Sequence, residues 1–109
     1  MKKFILQPDQ IRSLLPSKGF ALATDRITVD GAPVGYMYRS APMNNEDSGW
    51  RFFDGTESLE YMANNDNSGV YKVNTIANLD PAIIPYMHMA IGVRLERIPG
   101  TNKFCEVVD

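Results

Sequence analysis

Short runs of alternating apolar and polar residues, each cut off by a turn, limit what this chain can fold into more than any other feature. In ALATDRITV (residues 21–29) and VGYMYRSA (residues 34–41) the pattern has the period of a strand, whose successive side chains point to opposite faces. Between the two runs, DGAP supplies Asp30 and Gly31, residue types suited to the positive-φ positions of a tight turn, and the sequence predicts a β-hairpin from Phe20 to Ala41. Alternation returns in Ile91, Val93 and Leu95 against Gly92, Arg94 and Glu96, and again from Phe104 to Val108. With the Pro99-Gly100 turn between them, these runs predict a second hairpin.

Helix signals are brief. Pro8, Asp9 and Gln10 followed by Ile11, Leu14 and Leu15 predict a short amphipathic helix stopping before Pro16, with Ser17, Lys18 and Gly19 as its exit. Thr56 with Glu57 behind it predicts an N-cap and an acid in the first turn, with Leu59, Met62 and Ala63 as the inward face and Asn64 to Gly69 as the end. Val70 to Asn74 reads as a strand. TIANLDPAIIPYMHM then offers a polar turn, Pro81 for a first helical turn, and Pro85, which limits any helix to about one turn. The sum is an α+β fold: a single small domain over residues 1–109, with a mainly antiparallel sheet of about five or six strands and two or three short helices.

The size and composition support a folded chain. At 109 residues there is room for one core, and 44% apolar against 22% charged residues lies outside the disordered regime. A net charge of −2, with no concentrated Lys/Arg face, argues against nucleic acid as a partner. Cys105 is the only cysteine, which leaves no internal disulfide and points to a reducing cytoplasmic compartment. The opening apolar run, Phe4 to Leu6, is interrupted by Gln7, Pro8 and Asp9, too short for a signal sequence or a membrane span, so no membrane partner is expected.

Local charge is less even. SGWRFFDGTESLEYMANND (residues 48–66) holds the only tryptophan and most of an acidic run: Glu46, Asp47, Asp54, Glu57, Glu60 and Asp66 stand against Arg51, a balance of −5. A strand period separates Trp50 and Phe52 from Arg51 and Phe53, so at least one aromatic ring should lie near the surface. An acidic patch beside aromatic surface suits a basic protein partner, with Trp50, Asp54, Glu57, Glu60, Tyr61 and Asp66 as candidate contacts. The plainer reading is core aromatics and a solvated helix face. Gly49 allows a bulge or close backbone approach, Arg51 has Asp47, Asp54 and Glu96 as possible ion-pair partners, and Asn74 and Asn78 flank a turn they can hold by side-chain to backbone bonds.

Catalytic and metal constellations are thin. Asn64, Asp66 and Ser68 alternate, with Gly69 sixth, as in the opening of a calcium loop, but the twelfth position is Thr75 where a bidentate Glu is needed. His88 lies between two methionines, nothing in sequence links it to Cys105, and no G-x-S-x-G elbow exists. Asp54 with Glu57 or Glu60 makes a carboxylate couple only if a cleft surrounds it. No cofactor, metal or enzymatic activity is expected. A small ligand-binding or accessory domain, with an aromatic pocket of Tyr36, Tyr38, Trp50 and Tyr86, is the second reading.

The motifs also carry a resemblance. Val34 to Arg39, Asp47 to Phe52, Tyr61, Asn74 to Asn78, Asp80 with Pro81, Ile83 to Tyr86, and Gly92 with Glu96 and Arg97 occur in the order of a bacterial family formerly filed as a domain of unknown function. Over about residues 17–98 the chain resembles immunity family thirty-three of polymorphic toxin systems. Ser40-Ala41 and Leu95 depart from its pattern. The resemblance implies a non-enzymatic immunity protein that binds and neutralises a cognate toxin through a protein–protein interface. If that toxin is a basic nuclease, the acids Asp54, Glu57 and Glu60 would occupy its phosphate-binding groove.

Overall fold

The strand β1 (Phe20–Thr24) is built to lie inside a sheet, because its inward residues Ala21 and Ala23 are small enough for helices to pack closely over them. A computed structural model describes residues 2–16 and 18–108; Ser17, placed by sequence in a helix exit, lies outside the described residues. β1 is followed by α1 (Asp25–Thr28), β2 (Tyr36–Arg39), β3 (Asp47–Phe53), α2 (Leu59–Ala63), β4 (Ser68–Lys72), α3 (Val73–Leu79), β5 (Arg94–Arg97) and β6 (Phe104–Glu106). The strands form one sheet in the order β4-β1-β3-β2-β5-β6, in which β1–β3 is parallel and the other pairings are antiparallel. An α+β architecture with a mainly antiparallel sheet is therefore what the chain adopts.

The carboxy-terminal hairpin forms as the sequence predicts, with Glu96 opposite Cys105 and Arg97 opposite Phe104. The amino-terminal hairpin does not. After Thr24 the chain enters α1, where the Asp25 carbonyl accepts the amides of Val29 at 3.0 Å and Asp30 at 2.9 Å, and Ile27 is buried. Gly31 does take a positive φ of 80°, but it turns the chain out of this helix and not between two strands. β2 pairs with β3 and β5 instead.

One face of the sheet carries the core. Ala21, Ala23, Met37, Trp50, Phe52 and Leu95 meet Ile27, Val73, Ile76, Ala77, Ile83 and Met87 from the helical elements. Each of the larger side chains contributes about 1.5–3 kcal/mol by leaving water. The Trp50 indole N–H donates to the Met87 carbonyl at 3.3 Å, so its polar edge is satisfied in the core.

α3 replaces the predicted end of a strand and polar turn. Val73, Ile76 and Ala77 are buried at helical spacing, a stripe that outweighs the weak helix preference of the β-branched and Asn residues among them. Asn74 and Asn78, one turn apart, bond to backbone as expected: Asn78 Nδ2 donates to the Asn74 carbonyl of their own turn at 2.8 Å, and both side chains also reach the amino-terminal segment. Asn78 Oδ1 accepts from the Arg12 amide at 2.8 Å, Asn74 Oδ1 accepts from Leu14 at 2.8 Å and Leu15 at 3.1 Å, and both Nδ2 groups donate to the Arg12 carbonyl. These bonds replace a helical ladder, and the predicted helix over residues 8–15 is reduced to one 3-10 turn, Pro8–Gln10.

β3 is kinked. Phe20 lies opposite Asp47 and Leu22 opposite Arg51, so β3 spends two more residues than β1 over this span. Gly49, at φ 88°, sits inside the bulge, and a Cβ there would lie 2.2 Å from the Ser40 carbonyl oxygen. Its predicted role in a bulge or close approach is realised. The kink folds Asp47 back onto Arg51, whose guanidinium donates to both carboxylate oxygens at 2.9 and 2.8 Å.

Candidate partner-binding groove

Behind the core, the opposite sheet face has a different character. Leu22, Arg51, Tyr38 and Tyr36 with Phe53 and Glu96 are cross-strand neighbours there. Tyr36, Tyr38 and Phe53 are half-buried and form one ring cluster, with centroids 6.0 Å apart for the tyrosines, 5.9 Å for Tyr36–Phe53 and 5.8 Å for Tyr38–Phe53. The last pair is nearly parallel, at 12°. These rings floor an open groove of about 690 Å³, walled by Asp54 to Glu57 with Met62 on one side and by Glu96, Arg97 and Pro99 on the other.

The acidic wall is a folded device. Glu57 turns inward, accepting from the Thr24 hydroxyl at 2.6 Å and from the amides of Asp54 at 2.9 Å and Gly55 at 3.0 Å. Asp54 accepts from the Thr56 amide and hydroxyl, each at 2.8 Å. Burial works against the Asp54 charge, but the Thr56 donors outweigh it and the carboxyl is lowered below its ordinary value.

This arrangement moves the helix start. Thr56 is engaged with Asp54, and the N-cap of α2 is Ser58, whose Oγ accepts from the Tyr61 amide at 3.0 Å. The predicted inward face is also overturned: Leu59 is 92% exposed, Met62 39%, and Ala63 is exposed too. Polar contacts anchor α2 instead. Asn67 donates to the Tyr61 carbonyl at 3.0 Å, and the Arg26 guanidinium lies 4.5 Å from the centre of the Tyr61 ring. Burial, with the nearby Asp25 charge, raises the Tyr61 phenol above its ordinary value against the opposing effect of the Arg26 cation.

The predicted contact residues therefore part company. Trp50 is 1% exposed in the core, where it has no surface to offer a partner, and it leaves the candidate set. Asp54 and Glu57 are brought together in the groove wall, Glu57 with its carboxylate spent on the local fold. Glu60 and Asp66 are exposed outside the groove, and Tyr61 is half-buried beneath Arg26. The four-residue aromatic pocket is not assembled: Tyr36 and Tyr38 share the groove, while Tyr86 packs on Phe104 and accepts its amide at 2.9 Å. His88 and Cys105 are both exposed, and the hollow lined by His88 does not include the cysteine. Among the described residues no group of three or more His, Cys, Asp or Glu side chains is placed to hold a metal ion, and no helix is long and apolar enough to cross a membrane.

Phe53 and Glu96 line the candidate groove, and the sequence does not mark either as a contact. The Tyr36 and Tyr38 spacing already marks one strand face, and the strand period sets Phe53 on a different face from Trp50. Only the pairing of β2 with both β3 and β5 brings Glu96 beside them.

A comparison with protein families decides the wider question: the immunity protein Imm33 domain matches residues 21–108. The chain belongs to the Imm33 immunity-protein family. Neither the curated proteins nor the solved structures give a match to it. Imm33 membership implies a toxin-neutralising role with a protein toxin as partner, in a family that is generally non-enzymatic. The Imm33 match opens inside β1 and runs past β6, so it takes in nearly the whole sheet, including both walls of the groove, and leaves the segment clasped by Asn74 and Asn78 outside.

Proposed function

We propose that this Imm33 protein neutralises a cognate bacterial toxin in the cytoplasm by binding it, without catalysis, through the Tyr36–Tyr38–Phe53 groove and the outward face of α2. The observation that carries this reading is the exposure of Leu59, at 92%, one helical turn from the groove-lining Met62. An apolar helix residue left almost wholly to solvent, set beside half-buried aromatic rings, is the composition of an interface centre. The exposed acids Glu60 and Asp66 supply a rim that steers a positively charged partner and fixes its orientation. Nothing in this mechanism calls for a cofactor, since occlusion of the toxin needs only a complementary surface.

The test is a protection assay with the toxin domain encoded beside the gene for this chain. Wild-type protein is expected to restore growth and to co-purify with that domain. Leu59→Asp and Tyr38→Ala are expected to lose both effects while keeping a cooperative unfolding transition. Full protection by both folded variants would move the interface elsewhere, and failure of the wild type to protect or co-purify would end the immunity reading for this chain.

A further inference from the structure

Resting on that reading, we infer that the groove is a receptor for an arginine side chain presented by the toxin. The floor offers the right shape. Tyr38 and Phe53 are inclined by only 12° with Tyr36 beside them at 35° to Phe53, a shallow aromatic platform on which a planar guanidinium can stack. The π faces of such rings attract a cation, and arginine more often than lysine fills this role because its flat, weakly hydrated head stacks as well as pairs.

Charge gives the same answer. Asp54, Glu57 and Glu96 line the groove with a single cation, Arg97. That cation is committed elsewhere: it pairs with Asp80, and donates to the Val34 carbonyl at 2.7 Å and the Thr101 carbonyl at 3.0 Å. Asp54 and Glu57 are held in place by their own loop, so the negative wall is preformed. Glu96 differs from both. It is exposed, and its carboxylate makes no hydrogen bond or ion pair among the described residues, which leaves both oxygens free for the two-pronged bond a guanidinium makes. A nucleic-acid base would suit the aromatic floor, but three carboxylates in the walls repel the phosphates that come with it.

The experiment needs no toxin. Blocked arginine (N-acetyl-arginine methylamide) is titrated into the labelled protein and followed by NMR, beside blocked lysine, blocked citrulline and a short oligothymidine. Saturable millimolar shifts at Tyr36, Tyr38, Phe53 and Glu96 are expected with arginine, weaker ones with lysine, and none with citrulline, which keeps the shape and loses the charge. Glu96→Gln is expected to weaken arginine binding about threefold, the scale of one exposed ion pair. Tyr38→Ala is expected to abolish it. No shifts in the groove, equal shifts from citrulline, or oligothymidine binding at the same rings would overturn the inference. Because the probe is an amino acid, such a result leaves toxin neutralisation to be judged by the protection assay alone.

Discussion

Asp47 and Arg51 stand four residues apart on one strand and still form a two-pronged, nearly buried ion pair. A straight strand would hold them roughly 13 Å apart, at about 3.3 Å of rise per residue. The bulge at Gly49 closes that gap. Gly49→Ala is therefore expected to destabilise the protein by about 3 kcal/mol, combining an unfavourable left-handed backbone with a side chain driven into the Ser40 carbonyl. Urea unfolding measures it, and a change under 1 kcal/mol would mean that the bulge relaxes without Gly49.

The same pair sets an acid limit. The Arg51 guanidinium, helped by the Met43 and Gly49 amides and opposed by burial, holds the Asp47 carboxyl well below the usual carboxylate range. The unfolded chain binds this proton more readily than the folded one, so the stabilisation is complete above about pH 4 and is lost as pH falls towards the depressed folded value. Asp47→Asn is expected to cost about 3–5 kcal/mol at neutral pH by leaving Arg51 buried without its partner. Stability curves for the two proteins should converge on acidification; parallel curves would show that another group governs the acid limb.

Acids that look alike in sequence should behave differently on substitution. Glu57→Ala removes the acceptor for the buried Thr24 hydroxyl and two loop amides, and a loss of about 2 kcal/mol is expected. Glu60→Ala, on the solvent side of α2, is expected to change stability by less than about 0.5 kcal/mol. Thermal unfolding of the two variants separates them. Charge reversal at Glu57 consequently tests the fold as much as any interface.

Asn78→Ala should free one end of the amino-terminal segment. Hydrogen exchange at the Arg12 amide, which this side chain accepts at 2.8 Å, is expected to speed up while amides of β3 keep their rates. Adding Asn74→Ala should extend the effect to Leu14 and Leu15. Unchanged exchange at Arg12 in the double variant would show that apolar contacts alone hold the segment.

The parts of the fold legible in sequence are those whose partners are near in the chain. The Pro99-Gly100 hairpin joins neighbouring strands, and its alternation was enough to find it. β1 looks the same locally, yet its partners are β3 and β4, and no local pattern distinguishes a strand awaiting a distant mate from half of a hairpin. α3 was hidden because Val73, Thr75 and Ile76 favour strands, while its real support is tertiary. In the candidate site, the sequence shows where the acids are but not their division of labour, and Leu59 and Met62 carry a helical spacing that sequence alone assigns to a core. The fold alone shows that Asn67 and Arg26 hold α2 at Tyr61 and leave Leu59 outward, while Glu57 turns in to bond Thr24 and its own loop.

The order of strands also fixes a schedule. β1 is the first strand made, yet it lies between β3 and β4, which are made later. Its backbone groups stay without sheet partners until residue 47 or beyond has left the ribosome, and its second edge waits for residues 68 to 72. β2 and β3 pair with each other at close range and can form the seed onto which the amino-terminal strand is later threaded. Synthesis must therefore pass β4 before β1 can pair on both sides, and a nascent chain stalled short of that point carries an unfinished edge.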